Sequence, residues 1–221
     1  MRTKPFADRA EAGRLLGERL VQLQLDRPVL LALPRGGVPV AHHAARVLGA
    51  ALDVFIARKV GAPGHREYGI GAVAEGDVVV AHDDSLRRLG VSRQRFDELA
   101  AIEQQELARR VALYRRGRNA IDARTRDVVL IDDGLATGVT AEAALRAVRA
   151  LDPRRLVLAV PVGASVTVAR LADIADEVVC LWAPPDFDAV GRWYANFDQT
   201  TDEEALRLLG PQPPDPRSLR P

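Results

Sequence analysis

Val128-Val129-Leu130-Ile131-Asp132-Asp133-Gly134-Leu135-Ala136-Thr137-Gly138-Val139-Thr140 decides how this chain is read. The apolar run at 128–131 suits a strand buried on both faces of a parallel sheet. It ends on two adjacent carboxylates, and a Gly/Thr loop leads to a helix expected over 141–151. In an open parallel sheet, ligands bind beyond the carboxyl ends of the strands. Asp132 and Asp133 sit at such an end. Neighbouring carboxylates repel, and ionised carboxylates only accept hydrogen bonds, so sugar hydroxyls or a divalent cation would compensate them. The loop's backbone N–H groups and the helix start make a nest for a dianion, and Thr137 and Thr140 add hydroxyl donors. Acceptors followed by donors fit a sugar diol carrying a phosphate. For the acid pair taken alone, an Asp-rich turn capped by Thr is the alternative.

The flanking sequence repeats the alternation of strand and helix. Phe6, Ala10, Leu15, Leu16, Leu20 and Leu23 follow a helical period over 6–25. A short apolar strand is expected at 29–33, between Pro28 and Pro34. Pro34-Arg35-Gly36-Gly37 is a turn, 38–48 a helix and 52–57 a second strand. Residues 58–69 hold three glycines and a proline, the signature of a mobile loop. Runs at 70–74 and 78–81 predict a hairpin. Ser92 is a plausible N-cap for a long helix to about 116, with Phe96, Leu99, Leu107, Val111 and Tyr114 apolar. Arg109, Arg110, Arg115, Arg116 and Arg118 read as its solvated C-terminus, with a ligand patch as the alternative. Further strands are expected at 156–160 and 178–182, with a short helix at 166–172. The whole is an α/β doubly wound parallel sheet. It is a single domain over 1–210, with its core at 29–182. The tail 211–221 holds five of the fourteen prolines and is expected to be disordered.

Composition excludes several classes. The chain has 221 residues, 48% hydrophobic and 28% charged, with a net charge of +1. That near-neutral balance argues against a nucleic-acid surface. The longest uncharged run, 156–169, is broken by Pro161 and Gly163 and falls short of the roughly 20 apolar residues of a membrane span. The polar N-terminus has no signal-type stretch. Cys180 is the single cysteine, so no disulfide framework is expected. A cytoplasmic protein without nucleic-acid or membrane partners follows. Three motifs fail on context. Gly69-Ile70-Gly71-Ala72-Val73-Ala74 matches a dinucleotide fingerprint by letter but opens no helix. His65-Arg66-Glu67 lacks the cysteine pair of a zinc deaminase. His42 and His43 point about 100° apart on a helix. The basic residues are 29 Arg and 2 Lys; codon composition is one reading of that skew, and a position at Lys59 wanting a compact ammonium is the other.

The quoted segment resembles the phosphoribosyl pyrophosphate (PRPP) loop of type I phosphoribosyltransferases. The resemblance covers roughly 29–182, and it implies that family's fold with a flexible flap hairpin, a long inserted helix and a small C-terminal hood at 183–200. It implies that Asp132 and Asp133 hold the ribose hydroxyls, and that Ala136, Thr137, Gly138, Val139 and Thr140 hold the 5-phosphate. Gly134 departs from the family, which usually has an apolar residue there. Leu33-Pro34-Arg35-Gly36-Gly37 corresponds to the pyrophosphate loop, with Arg35 as partner and Gly36 and Gly37 permitting close approach. Arg58 and Lys59 follow the second strand, where the family often places a basic residue against pyrophosphate. Residues 61–69 correspond to the flap, on which His65 and Glu67 are either general-base or metal contacts or solvated.

The implied reaction transfers 5-phosphoribosyl from PRPP to a nitrogenous base and releases pyrophosphate. Arg35, Lys59, Asp132 and Asp133 carry it. Mg²⁺ is the implied cofactor, met by Asp132 and Asp133 directly or through water or substrate. Ala136 stands where the hypoxanthine–guanine branch has an acid, which weighs against a 6-oxopurine. Trp182, Asp186, Phe187, Trp193 and Tyr194 are the candidates to meet the acceptor base. Packing in a hood core is the alternative for each. The run Phe187 to Tyr194 is similar to a generically named subgroup. A non-catalytic regulator binding PRPP or a nucleotide on the same fold is the competing reading. An unrelated phosphosugar hydrolase or kinase would need a nucleophile or nucleotide loop that the sequence does not offer. The helix near 93–116 suggests a homodimer surface.

Overall fold

The computed structural model describes residues 6–115 and 120–210, apart from the side chains at 66 and 67. The N-terminal helix α1 (Arg9–Val21) starts where the Asp8 carboxylate accepts from the Glu11 N–H. It stops short of the expected 25, and Gln24 and Arg27 then take positive φ. Strand β1 (Val29–Ala32), helix α2 (Gly37–Leu48) and strand β2 (Ala51–Val54) follow. A hairpin of β3 (Ala57–Ala62) and β4 (His65–Ala74) comes next, extended by β5 (Val78–Ala81). Helices α3 (Asp83–Leu89) and α4 (Arg93–Arg115) lead to β6 (Asp127–Ile131), α5 (Val139–Arg149), β7 (Arg155–Val162), α6 (Ser165–Leu171) and β8 (Glu177–Trp182). A 3₁₀ turn at Val190–Trp193 and helix α7 (Asp202–Leu209) complete the order.

Five strands form one parallel sheet in the order β2-β1-β6-β7-β8. The order reverses between β1 and β6, and a doubly wound sheet opens a crevice at that switch point. Register pairs Ala32 with Ile131, so the two strands end level and deliver Leu33-Pro34 beside Asp132. Alternation sorts the strand side chains onto two faces. Leu30, Ala32, Val129 and Ile131 pack with Leu16 and Leu20 of α1 and Val38 and Ala41 of α2. Val29, Leu31, Val128 and Leu130 pack with Ala144, Leu145 and Val148 of α5. Both faces are covered, which is why these strands read as unbroken apolar runs. Among the described residues, no helix is long and apolar enough to cross a membrane.

Two expectations need correction. Residues 58–69 are two antiparallel strands, not a loop, and the turn occupies only Pro63 and Gly64. The expected strand at 52–57 is accordingly two strands, β2 and β3. Glycine in this region serves packing. A Cβ on Gly71 would lie 2.3 Å from the Val80 carbonyl oxygen and 2.5 Å from the Phe96 ring, so the missing side chain seats α4 on the antiparallel sheet. The Arg cluster is also not uniformly solvated. Arg115 is largely buried, donating to the Val54 carbonyl at 3.0 Å and pairing with Asp53 and Glu75. Arg116, Arg118 and the tail 211–221 lie outside the described residues. Of the apolar residues on α4, Phe96, Leu107 and Tyr114 are buried within the chain, while Ile102 is exposed.

Candidate functional site

The crevice between β1 and β6 is built by close backbone approach. The Leu33 N–H donates to the Ile131 carbonyl at 2.8 Å, and the Gly37 N–H to the Leu33 carbonyl at 3.0 Å. The Pro34–Arg35 peptide is cis. A Cβ on Gly36 would lie 2.0 Å from Asp133 Oδ2, and one on Gly37 would lie 2.6 Å from the Ile131 oxygen. Only glycine lets this turn lie against the acid pair.

The two acids face different surroundings. Asp133 accepts from Arg9 Nε at 2.8 Å, and Arg9 Nη2 is equally close to the same oxygen. Its carbonyl accepts from the Tyr194 hydroxyl at 2.6 Å, and its own N–H donates to Asp132 Oδ1 at 2.8 Å. Asp132 instead lines a cavity of about 330 Å³ with Leu33, Pro34, Ala57, Arg58, Lys59, Arg110 and Thr140. Burial, and then the neighbouring Asp133 charge, push the Asp132 carboxyl well above the usual carboxylate range. Burial also raises Asp133, with the Arg9 guanidinium working against it.

The structure therefore brings Arg58, Lys59, Asp132 and Thr140 together at one cavity, with Arg35, Gly36 and Gly37 on the turn beside it. Arg58 reaches the cavity from β3, where Glu103 of α4 holds its guanidinium at 2.6 Å. Arg110, on the face of α4 read from sequence as solvated, is a further cation on the cavity wall. Its signal was an arginine at the helical spacing of Leu107, Val111 and Tyr114, the side α4 buries.

The loop after β6 is stitched to β7 and α6. The Leu135 N–H donates to the Val162 carbonyl at 2.9 Å, and the Ala164 N–H to the Leu135 carbonyl at 2.9 Å. Gly138 has φ of +69° and precedes α5. Among the described residues, no backbone or side-chain acceptor meets the N–H groups of Thr137, Gly138, Val139 or Thr140. Such unpaired donors are what the first turn of a helix offers an anion. Gly134, the departure in the motif, has a local reason, since a Cβ there would lie 2.5 Å from Val190 of the 3₁₀ turn.

The aromatic candidates gather apart from the cavity. Trp182, Phe187, Trp193 and Tyr194 pack with Phe6 and Val162 in one apolar cluster. The Trp182 and Trp193 ring centroids are 5.6 Å apart, and those of Phe6 and Tyr194 are 5.5 Å apart. Tyr194 is 5% exposed, with its hydroxyl committed to Asp133. Asp186 lies just before this cluster in the chain. Nothing in the sequence marked Arg9, which lies over the Phe197 ring at 3.8 Å and donates to the Asp198 carbonyl at 2.8 Å.

Fold and site together define a doubly wound α/β protein with an acid pair and an N–H-lined loop at its switch point. The family model of the phosphoribosyl transferase domain matches residues 7–189, and the chain belongs to that family. TT1426 from Thermus thermophilus, known from a crystal structure, is 48% identical and superposes with a TM-score of 0.80, over 93% of this chain and 97% of that one. A Mycobacterium tuberculosis protein (strain H37Rv), provisionally named a phosphoribosyl transferase, is 47% identical over 206 residues, 93% of this chain and 46% of that protein. The chain thus spans about half the length of that relative. The AQ2163 protein of Aquifex aeolicus shares the fold at 14% identity, with a TM-score of 0.50.

Proposed function

We propose that this chain transfers the 5-phosphoribosyl group of PRPP to a nitrogenous base, releasing pyrophosphate. The observation that carries the reading is the level ending of β1 and β6, which sets the Pro34–Gly37 turn, Asp132 and the start of α5 around one crevice. Asp132 accepts from a ribose hydroxyl. The N–H groups of 137–140, with the Thr137 and Thr140 hydroxyls, receive the 5-phosphate. In the reaction, the bond from ribose carbon 1 to the pyrophosphate oxygen breaks and a bond to the base nitrogen forms. Charge builds on the leaving group, and Arg35, Lys59 and Arg58 lie where they would oppose it. The base nitrogen is itself the nucleophile, so no covalent protein intermediate is needed.

The donor chemistry fits Mg²⁺ as a substrate-borne ion. Among the described residues, no three metal-ligating side chains surround one point. Mg²⁺ usually takes only one or two carboxylates and fills its shell with water and phosphate oxygens. Asp132 is the carboxylate on the cavity, with Asp133 behind it. When bound with PRPP, the ion would neutralise charge developing on pyrophosphate.

Two measurements test the reading. Calorimetry with PRPP and Mg²⁺ should give saturable binding that Asp132→Asn weakens by roughly tenfold to a hundredfold, the worth of a charged hydrogen bond. Pyrophosphate release should appear with at least one member of a panel of purine and pyrimidine bases. Binding without release for any base would leave a PRPP-binding regulator, and the absence of PRPP binding would end the proposal.

A further inference from the structure

Helix α6 holds the loop after β6 from behind. The Thr167 hydroxyl donates to the Ala136 carbonyl at 2.6 Å. Arg170, one turn further on, donates to the Thr137 carbonyl at 2.7 Å. Two successive peptide oxygens of the loop are thus bonded to side chains of one helix. In a trans peptide the C=O and N–H point in opposite directions. Fixing the Ala136 oxygen therefore fixes the direction of the Thr137 N–H, and fixing the Thr137 oxygen does the same for the Gly138 N–H.

The sheet order says which direction that is. Helix α6 begins directly after β7, on one side of β6, and the crevice lies on the other side, toward β1. N–H groups turned away from α6 face the crevice. Arg170 is itself held, because its second arm pairs with Glu142 of α5. Glu142 also accepts from Arg146 and lies 3.1 Å from His82 Nε2. Thr167 is only 7% exposed, and its methyl group fills the space a Cβ on Gly138 would need, 2.5 Å away.

We infer that Thr167 and Arg170 are positioning residues that orient the Thr137 and Gly138 N–H groups toward the phosphate of the substrate. The inference rests on the function proposed above, and it adds two residues outside the loop that set the loop's affinity without touching the ligand.

The test uses the full chain with Thr167→Val, close in shape but without a donor, and Thr167→Ser, which restores the hydroxyl. Backbone amide resonances of Thr137 and Gly138 are followed by NMR while inorganic phosphate is added, and PRPP steady-state kinetics run alongside. Thr167→Val is expected to raise the KM for PRPP about tenfold, the cost of a misdirected hydrogen-bond donor, with kcat within about twofold. Its two amides should stop responding to phosphate, and Thr167→Ser should recover both readouts. Arg170→Met should act in the same direction. A general loss of stability would lower the unfolding midpoint but would not be rescued selectively in KM by Thr167→Ser. Wild-type KM and wild-type phosphate response in Thr167→Val would overturn the inference and leave the PRPP reading standing. Phosphate-responsive amides in a wild-type protein that binds no PRPP would overturn the PRPP reading and leave the inference standing. Silence of both amides toward phosphate in the wild type would overturn the inference outright.

Discussion

Arg9 and Asp133 form an ion pair across 124 residues of sequence, two guanidinium nitrogens on one carboxylate oxygen at 2.8 Å. The pair makes the adjacent acids unequal. Asp133 joins the N-terminal helix to the segment around Tyr194, Phe197 and Asp198, and Asp132 alone lines the cavity.

Breaking that pair from the Arg9 side should be costly. The two side chains are 11% and 14% exposed, so Arg9→Met leaves a largely buried carboxylate without its cation. Removing one partner of a buried pair costs about 3–5 kcal/mol, and partial solvent access places this case at or below the low end. Urea unfolding should show a loss of roughly 2–3 kcal/mol. A loss below about 0.5 kcal/mol, the range of an ordinary surface substitution, would mean the pair contributes nothing to stability.

Asp132→Asn should separate stability from binding. A carboxyl whose folded pKa is raised binds its proton more tightly in the native state than in the unfolded one. Stability is therefore lost as pH rises from the unfolded carboxylate range through the raised folded value. The neutral amide escapes that loss. At pH 7 the variant should melt higher than the wild type while binding PRPP at least about tenfold more weakly. A lower midpoint at pH 7 would contradict the burial account of Asp132.

Glu142 makes the opposite prediction. The His82 bond, followed by Arg146 and the charges of His82 and Arg170, lowers its carboxyl from 4.5 to about 2 against the effect of burial. That stabilisation is fully present above the unfolded value and disappears as pH falls through the folded one. Glu142→Gln should cost on the order of 1–2 kcal/mol at pH 7, because solvent screens its half-exposed arginine partners. The difference from wild type should shrink steadily between pH 5 and pH 2. A difference independent of pH in urea titrations would show that charge is not its source.

Gly71→Ala tests the seat of α4. Its new methyl would lie 2.3 Å from a backbone oxygen and 2.5 Å from Phe96, and backbone cannot rotate aside as a long side chain does. Overpacking of this kind costs about 1–3 kcal/mol. By contrast Gly76→Ala meets nothing within 4 Å, and its cost should come only from the positive φ of 80°. Thermal unfolding of the two variants should rank Gly71→Ala as the more damaging.

The sheet was legible because its strands are buried on both faces, so periodicity had little to confuse at 29–33, 128–131 and 156–160. The residues at the crevice were legible because the motif after β6 has both its strand and its helix in sequence. The hairpin at 57–74 was misread because Gly61, Gly64 and Gly69 carry the composition of a turn, although the two strands pair from Ala57↔Ala74 to Ala62↔His65. Helices α3 and α7 were missed because they are short and each buries a single residue, Leu86 and Ala205. Arg9, Thr167 and Arg170 left no local signal. Their roles exist only through partners that the fold brings from 124, 31 and 33 positions away.

Glu106 accepts from Arg109 and Arg110 and lies 3.9 Å from Arg58, while Glu103 holds Arg58 more closely. Arg58 and Arg110 on the cavity wall are thus already paired and aimed before any ligand arrives. A polyanion such as PRPP would replace a carboxylate with a phosphate at Arg58 and Arg110 and gather few charges from bulk solution. Ion exchange of this sort releases little net counter-charge, so binding at this wall should vary only weakly with ionic strength.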